Sequence, residues 1–228
     1  MNMKTLIINY KAYKEGFING LNIAEYSNKL SKNSGVNIIV SPPFTILRDT
    51  AKITKTIAQG MNEVDPGAFT GHVTWFELKQ AGAAGTLLNH SENRYTSSKN
   101  GQLDYAAIKI AVDKCTAAGL ETYVCVQNMD EAKEILKMNP TGIAYEPPEL
   151  IGGDISVSNS KPDIVKEFCS LIKESSNSLA LIGAGIKGKE DAEKSVELGS
   201  DGLLVASGIL KTNDYKSVIN DLVEGLSK

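Results

Sequence analysis

The chain between residues 142 and 154 reads Gly142-Ile143-Ala144-Tyr145-Glu146-Pro147-Pro148-Glu149-Leu150-Ile151-Gly152-Gly153-Asp154. A short apolar run ends in the carboxylate of Glu146, and two prolines follow at once. Each proline fixes its own φ and pushes the preceding residue towards extended geometry, which predicts that Glu146 is held at a defined angle where a strand ends. The next residues begin stiff and finish with flexible glycines, as in a hinged lid. A plain strand end with a proline-rich exit turn would have the same residues.

Seven further apolar runs resemble the one before Glu146. With it, they occupy residues 6–8, 37–40, 56–58, 85–88, 122–126, 142–145, 179–182 and 202–205. The runs are continuous rather than alternating, which predicts strands buried on both faces, as in a parallel sheet. Segments with helical periodicity lie between them, at residues 17–33, 101–118, 129–138, 160–172, 190–198 and 215–226.

Strand-like runs that alternate with helices, with no linker or composition break, predict a single (β/α)8 barrel domain over residues 1–228. The competing fold is an open doubly wound sheet, which often carries a GxGxxG or Walker motif. The sequence contains neither motif. A typical barrel has about 250 residues, so this chain of 228 residues is expected to have short helices or loops.

The composition is that of an ordinary soluble globular protein, with 42% hydrophobic and 22% charged residues. A net charge of −3 and dispersed lysines and arginines favour no nucleic-acid or membrane partner. The apolar run near the N-terminus is too short for a signal peptide or a membrane span. The three cysteines are widely spaced and odd in number, which predicts buried structural thiols and a cytoplasmic location.

Polar residues follow several of the predicted strands, where the active site of such a barrel lies. They are Asn9 and Lys11 after the first run, His90, Glu92 and Arg94 after the fourth, and Glu146 after the sixth. A carboxylate base, an imidazole and an ammonium group are therefore predicted to meet at one mouth. Lys11 could also be an ordinary solvated lysine, and Glu92 with Arg94 only a local ion pair.

The chain has two histidines, and their surroundings differ. His90 follows a buried strand and stands before Ser-Glu-Asn-Arg, which favours it as the catalytic imidazole. His72 lies between a glycine turn and a predicted helix start, where a capping or interface role is expected.

Two turns of small residues follow the seventh and eighth runs, Gly183-Ala184-Gly185 and Ala206-Ser207-Gly208. Small side chains let an anion approach backbone N–H groups and the start of a following helix. Barrels often bind phosphate at these two loops, so together the turns predict a phosphate site.

These motifs, in this order, resemble the triosephosphate isomerase family, in particular its shorter archaeal type. The resemblance runs essentially end to end, and its most specific parts are residues 8–13, 87–94, 145–152, 183–186 and 204–208. It implies the interconversion of dihydroxyacetone phosphate and D-glyceraldehyde 3-phosphate, with no metal or organic cofactor. The alternatives are another phosphate-binding barrel isomerase or epimerase, or a barrel relative without catalytic activity.

The resemblance implies a role for each matching residue. Glu146 matches the general base, His90 the electrophile and Glu92 the carboxylate behind the site. The residues that match substrate contacts are Asn9, Lys11, Ile151, Gly152, Gly185, Ala206 and Ser207.

The lid departs from the family pattern after the isoleucine, where Gly152-Gly153-Asp154 stands in place of Gly-Thr-Gly. If Asp154 pointed inwards, its carboxylate would lie near the negatively charged phosphate of the substrate. A like-charge pair at about 4 Å costs about 4 kcal/mol at an effective dielectric near 20, so Asp154 is expected to point to solvent.

The resemblance also implies self-association as a dimer or tetramer, since family members dimerise through the third loop. Here that loop, residues 65–76, carries Phe69, Trp75 and Phe76. A free chain should not leave that much aromatic surface in water. Trp75 and Phe76 could instead be core residues of the following helix.

Overall fold

The structure is a computed structural model that describes residues 3–97, 101–150 and 156–228. The strands in these ranges are β1 (Thr5–Asn9), β2 (Asn37–Ser41), β3 (Ile57–Ala58), β4 (Gly85–Leu88), β5 (Glu121–Val126), β6 (Gly142–Tyr145), β7 (Leu179–Gly183) and β8 (Gly202–Val205). They form one parallel sheet in the order β2-β1-β8-β7-β6-β5-β4-β3. A parallel bridge between Val40 and Thr56 joins the two outer strands. The predicted (β/α)8 barrel is confirmed.

The helices that the structure describes connect these strands. They are α1 (Lys14–Ile18), α2 (Gly20–Ser34), α3 (Leu47–Ala51), α4 (Trp75–Gln80), α5 (Tyr105–Ala118), α6 (Met129–Leu136), α7 (Val157–Ser160), α8 (Pro162–Ser175), α9 (Lys189–Glu197), α10 (Ser207–Leu210) and α11 (Tyr215–Leu226). The predicted start of the helix at residue 101 is wrong, because Asp104 caps α5 by accepting the N–H of Ala107. The single helix predicted over residues 17–33 is divided at Asn19, an amide residue that disfavours helix interiors.

The core has an inner and an outer part, as expected for a barrel whose interior is filled. The inner cluster lies inside the strands and consists of Ile7, Ile39, Ile57, Leu87, Tyr123, Cys125, Ala144, Leu181 and Leu204. The outer cluster packs the other face of the strands against the helices. The three cysteines are free and buried, as predicted. No helix in the described ranges is long and apolar enough to span a membrane.

The parallel register places the carboxyl ends of the strands at one mouth. Leu88 pairs with Val124, Val126 with Tyr145, and Gly183 with Leu204. Residues that directly follow β1, β4, β6, β7 and β8 are therefore brought together, although they come from distant parts of the chain.

Candidate active site

His90 and Glu146 face each other at the mouth of the barrel. His90 Nε2 lies 3.6 Å from Glu146 Oε2, and the two side chains are 6% and 7% exposed. Neither atom has a hydrogen-bond partner within the part of the chain that the structure describes. Since buried polar atoms are normally paired, these two atoms are oriented for a ligand.

The tautomer of His90 follows from its second nitrogen. The backbone N–H of Glu92 donates to Nδ1 of His90 at 3.1 Å, so Nδ1 is the acceptor. A neutral imidazole with an acceptor at Nδ1 carries its proton on Nε2. The ring therefore presents a donor N–H towards the side of Glu146.

Glu146 continues β6 by one residue. Its backbone N–H donates to the carbonyl of Val126 in β5 at 2.9 Å, so its main chain is held by the sheet. Behind it lies the buried Cys125, whose thiol pKa is raised by burial and by the neighbouring Glu146 carboxylate. The residue beside the carboxylate is therefore a neutral thiol.

Lys11 is held in place rather than free in solvent. Its Nζ donates to Glu92 Oε1 at 2.8 Å, and its side chain is 10% exposed. Its backbone has a left-handed φ of 49°, and its N–H donates to Asn9 Oδ1 at 2.9 Å. Gln59 Nε2 donates to the carbonyls of Lys11 and Ser41 at 2.9 and 3.0 Å. These bonds offset a conformation that costs a non-glycine residue about 1–2 kcal/mol.

The turns of small residues complete the site. Ala184 and Gly185 both have positive φ, at 74° and 70°. A Cβ on Gly208 would lie 2.5 Å from the carbonyl oxygen of Ile186, so glycine is needed where the two turns approach each other. Only the second turn begins a helix directly, since α10 starts at Ser207 whereas α9 starts at Lys189.

A cavity of about 200 Å³ lies between Lys11, the pair of His90 and Glu146, and the turns of small residues. Its lining includes Asn9, Lys11, His90, Glu92, Glu146, Gly185, Ala206 and Ser207. A base, a neutral N–H donor and a cation thus surround a space suited to a small molecule, with glycine-rich backbone on one side.

The comparison with known proteins assigns the family. Residues 4–222 match the family profile described as triosephosphate isomerase. The chain belongs to the triosephosphate isomerase family. The triosephosphate isomerase of Caldivirga maquilingensis is 40% identical over 230 residues, which cover 99% of this chain and 99% of that protein. That of Methanocaldococcus jannaschii is 38% identical over 223 residues, 96% of this chain and 98% of that protein.

A third relative extends the match. The triosephosphate isomerase of Thermoplasma volcanium is 38% identical over 224 residues, 97% of this chain and 100% of that protein. All three organisms are archaea, as the predicted type requires. The chain is an enzyme of the triosephosphate isomerase family. This membership argues against both alternatives, which were a different barrel isomerase or epimerase and a relative without catalytic activity.

Eight of the ten residues to which the family resemblance gives a role line the cavity, and two of them are Glu92 and Glu146. The other six are Asn9, Lys11, His90, Gly185, Ala206 and Ser207. Ile151, Gly152 and Asp154 lie outside the described residues, so the outward orientation of Asp154 stays a prediction. The first residues of the predicted lid are described, and there Glu149 forms an ion pair with Lys161.

The alternative interpretations of single residues are resolved by the contacts. Glu92 does not pair with Arg94, because Glu92 binds Lys11 and Arg94 Nη2 donates to Glu131 Oε1 at 2.8 Å. Lys11 is not an ordinary solvated lysine. His72 is exposed and lies against Phe69, with ring centroids 5.5 Å apart, and it does not line the cavity.

Two residues at the site were missed from sequence. Gln59 follows the shortest strand, β3, and its role depends on carbonyls from two other strand ends. Gly183 ends β7, where a Cβ would lie 2.6 Å from Glu146 Cγ. The sequence predicts Gly183 only as part of a phosphate turn, because its approach to Glu146 joins residues that are far apart in the chain.

Proposed function

We propose that this enzyme interconverts dihydroxyacetone phosphate and D-glyceraldehyde 3-phosphate by proton transfer through an enediolate. Glu146 removes a proton from the carbon next to the carbonyl and returns it to the neighbouring carbon. The observation that carries this proposal is the buried pair of unpartnered atoms, His90 Nε2 and Glu146 Oε2, on the wall of one small cavity. A substrate in this cavity would meet a base and a hydrogen-bond donor side by side on the same wall.

His90 is proposed to donate its Nε2 proton in a hydrogen bond to the substrate oxygens. As the carbon proton leaves, negative charge develops on the carbonyl oxygen, and a preoriented donor stabilises that charge more than the ground state. Because Glu92 N–H occupies Nδ1, the ring need not change tautomer to make this bond. A neutral catalytic imidazole is already well known in this family, as an example of an acid–base group adjusted by its surroundings.

Lys11 is proposed to supply positive charge to the enediolate and to the phosphate. Its ammonium group is paired with Glu92, and both residues line the cavity. Glu92 thereby orients Lys11, which fits the predicted role of a carboxylate behind the site. Asn9 holds the backbone of Lys11 and also reaches the cavity.

The phosphate is proposed to lie against Gly185, Ala206 and Ser207, with Ile151 and Gly152 closing over it. The absence of bulky side chains in the two described turns supports close approach of an anion to the backbone. Closure of residues 147–154 would exclude water and retain the reactive enediolate. We further propose that the chain self-associates through residues 65–76. We also propose a cytoplasmic location, which the free, buried thiols support.

The decisive experiment is a coupled isomerase assay with added chelator, applied to wild type, Glu146→Gln and His72→Ala. The wild type should remain active with chelator. Glu146→Gln should lower kcat by about 10²–10⁴-fold with an unchanged circular dichroism spectrum, since that is the usual contribution of general base catalysis. His72→Ala should keep wild-type kcat, because His72 lies outside the cavity.

Three results would contradict the proposal. An inactive wild type would remove the assigned reaction, and loss of activity with chelator would indicate a metal-dependent sugar-phosphate enzyme. A folded and active Glu146→Gln variant would remove Glu146 from the role of base.

A further inference from the structure

Asn89 connects β4 to His90 and has a left-handed backbone, with φ of 58°. Asparagine is one of the few side chains found regularly in this conformation. The chain leaves the strand direction at this residue, immediately before the imidazole. The conformation of Asn89 therefore determines where the His90 side chain starts.

The side chain of Asn89 is buried and uses both ends of its amide. Nδ2 donates to the carbonyl of Cys125 in β5 at 2.9 Å, and Oδ1 accepts the N–H of Tyr95 at 3.2 Å. A carbonyl can only accept and a backbone N–H can only donate, so the orientation of the amide is unambiguous. One side chain thus ties the neighbouring strand to the residue that ends the His90 turn.

The turn between Asn89 and Tyr95 is closed by further bonds around the imidazole. Asn93 N–H donates to the carbonyl of His90 at 2.8 Å, and Glu92 N–H donates to Nδ1. Because Asn89 holds both ends, these bonds attach the whole turn to β5.

The second catalytic side chain is attached to the same strand. Glu146 N–H donates to Val126 of β5, the residue directly after Cys125. Asn89 and Glu146 thus bind two successive carbonyls of β5. The 3.6 Å between His90 Nε2 and Glu146 Oε2 is therefore set through this strand.

We propose that Asn89 is a positioning residue, which sets the separation of His90 and Glu146 by hydrogen-bonding the His90 turn to β5. This role rests on the proposed function, because it matters to catalysis only if His90 and Glu146 act on the substrate together. Asn89 is not among the residues that line the cavity, so its contribution belongs to kcat and not to phosphate binding.

Asn89→Gly is the sharpest test, because glycine adopts the same φ without strain and lacks both hydrogen bonds. We expect kcat of this variant to be about 10- to 100-fold lower than that of the wild type, since small displacements of a reacting group have effects of that size. KM should stay within about twofold, as should Kd for glycerol 3-phosphate, a ligand with a phosphate and no carbonyl.

Asn139→Gly is the matched control. Asn139 is also left-handed, with φ of 52°, but it is exposed and lies after α6, away from the cavity. This variant should keep wild-type kcat. Asn89→Asp is the second test variant if Asn89→Gly does not fold. It tolerates the same backbone, keeps an acceptor for Tyr95 and loses the donor to Cys125, so its kcat should fall as well.

Nuclear magnetic resonance separates positioning from general destabilisation, because the chain has two histidines. In folded Asn89→Gly the ring signals of His90 should shift, whereas those of His72 should stay in place. Wild-type kcat, or unchanged His90 signals, in a folded Asn89 variant would overturn the positioning role. Equal losses in kcat and glycerol 3-phosphate binding, with both histidines shifted, would also overturn it.

The two proposals fail in different ways. A wild-type chain that does not isomerise triose phosphates overturns the proposed function. An active wild type with an equally active Asn89→Gly overturns only the role of Asn89.

Discussion

At Gly183 the backbone of β7 passes directly beside the carboxylate side chain of Glu146. A Cβ at this position would lie 2.6 Å from Cγ and 2.7 Å from Oε1 of Glu146. Contacts this short force one of the groups to move, and the side chain of Glu146 yields more easily than two paired strands. The missing side chain of Gly183 is therefore part of what places the base.

Gly183→Ala should displace the Glu146 carboxylate and lower kcat by about 100-fold, the effect of roughly 1 Å of misplacement. Overpacking should also reduce the free energy of unfolding by about 1–3 kcal/mol. Steady-state kinetics and urea unfolding measure the two effects. Gly188→Ala is the control, because a Cβ there meets no atom within 4 Å. If Gly183→Ala kept kcat within about twofold of wild type, the close approach would not position the base.

At the scale of elements, loops do most of the chemistry while strands provide their register. β3 has only two residues, yet Gln59 directly after it binds the loop of Lys11 and the end of β2. The long connection from β3 to α4 is different, because residues 65–72 are all exposed. Thr74 ends it with a capping box to Glu77, which fixes the start of α4.

The aromatic residues of this connection divide into two groups. Trp75 packs partly on the outer core, and its indole N–H donates to Asp65. Phe69 and Phe76 are each 45% exposed. The interpretation of Trp75 as a core residue is thus supported, whereas Phe76 remains available for an interface.

If residues 65–76 mediate self-association, Phe69→Ser with Phe76→Ser should lower the mass of the oligomer in sedimentation velocity experiments. The reason is that this change removes the largest exposed apolar groups of the segment from a contact that buries them. Met3→Ser is the control, since Met3 is 57% exposed but precedes β1 at the opposite end of the barrel. A wild type that sediments as a monomer, or a double variant with unchanged mass, would contradict this interface.

At the scale of the whole molecule, the helices around the barrel enclose groups that would ionise in water. Burial raises the pKa of the Cys115 thiol to about 12. Burial also raises the pKa of the Cys169 thiol to about 12, although Lys173 opposes the shift. Both thiols therefore stay neutral in the folded protein at pH values where an unfolded chain has begun to lose their protons.

This difference predicts a loss of stability at alkaline pH. Above the ordinary thiol pKa of 9.0, the unfolded chain releases protons that the folded chain keeps, so rising pH favours unfolding up to about pH 12. Each thiol should contribute about 1.4 kcal/mol per pH unit within that window. Cys115→Ser and Cys169→Ser should each reduce the slope of unfolding free energy against pH, measured in urea with a reductant present.

The comparison of slopes cancels the titration of lysines and tyrosines, which all three proteins share. The urea m-value should stay constant, which checks that the unfolded state is unchanged. Slopes equal to wild type in both variants would contradict the assignment of raised thiol pKa values.

The strands and the strand-end residues His90, Glu146 and Lys11 were predictable because their signals are local. A buried parallel strand is a continuous apolar run, and a barrel places its chemistry directly after such runs. Helix boundaries were less predictable, because caps such as Asp104 compete with the periodic pattern.

By itself, the sequence determined the barrel and the meeting of His90, Glu146 and Lys11 at its mouth, since these depend on hydrophobic pattern and chain order. Only the tertiary structure decided that Lys11 binds Glu92, that Gly183 makes room for Glu146 and that Asn89 ties the turn of His90 to β5. The physical reason is that each of these contacts joins residues from different strand ends. Their ångström-scale geometry depends on the packed register of the closed barrel, which no local pattern contains.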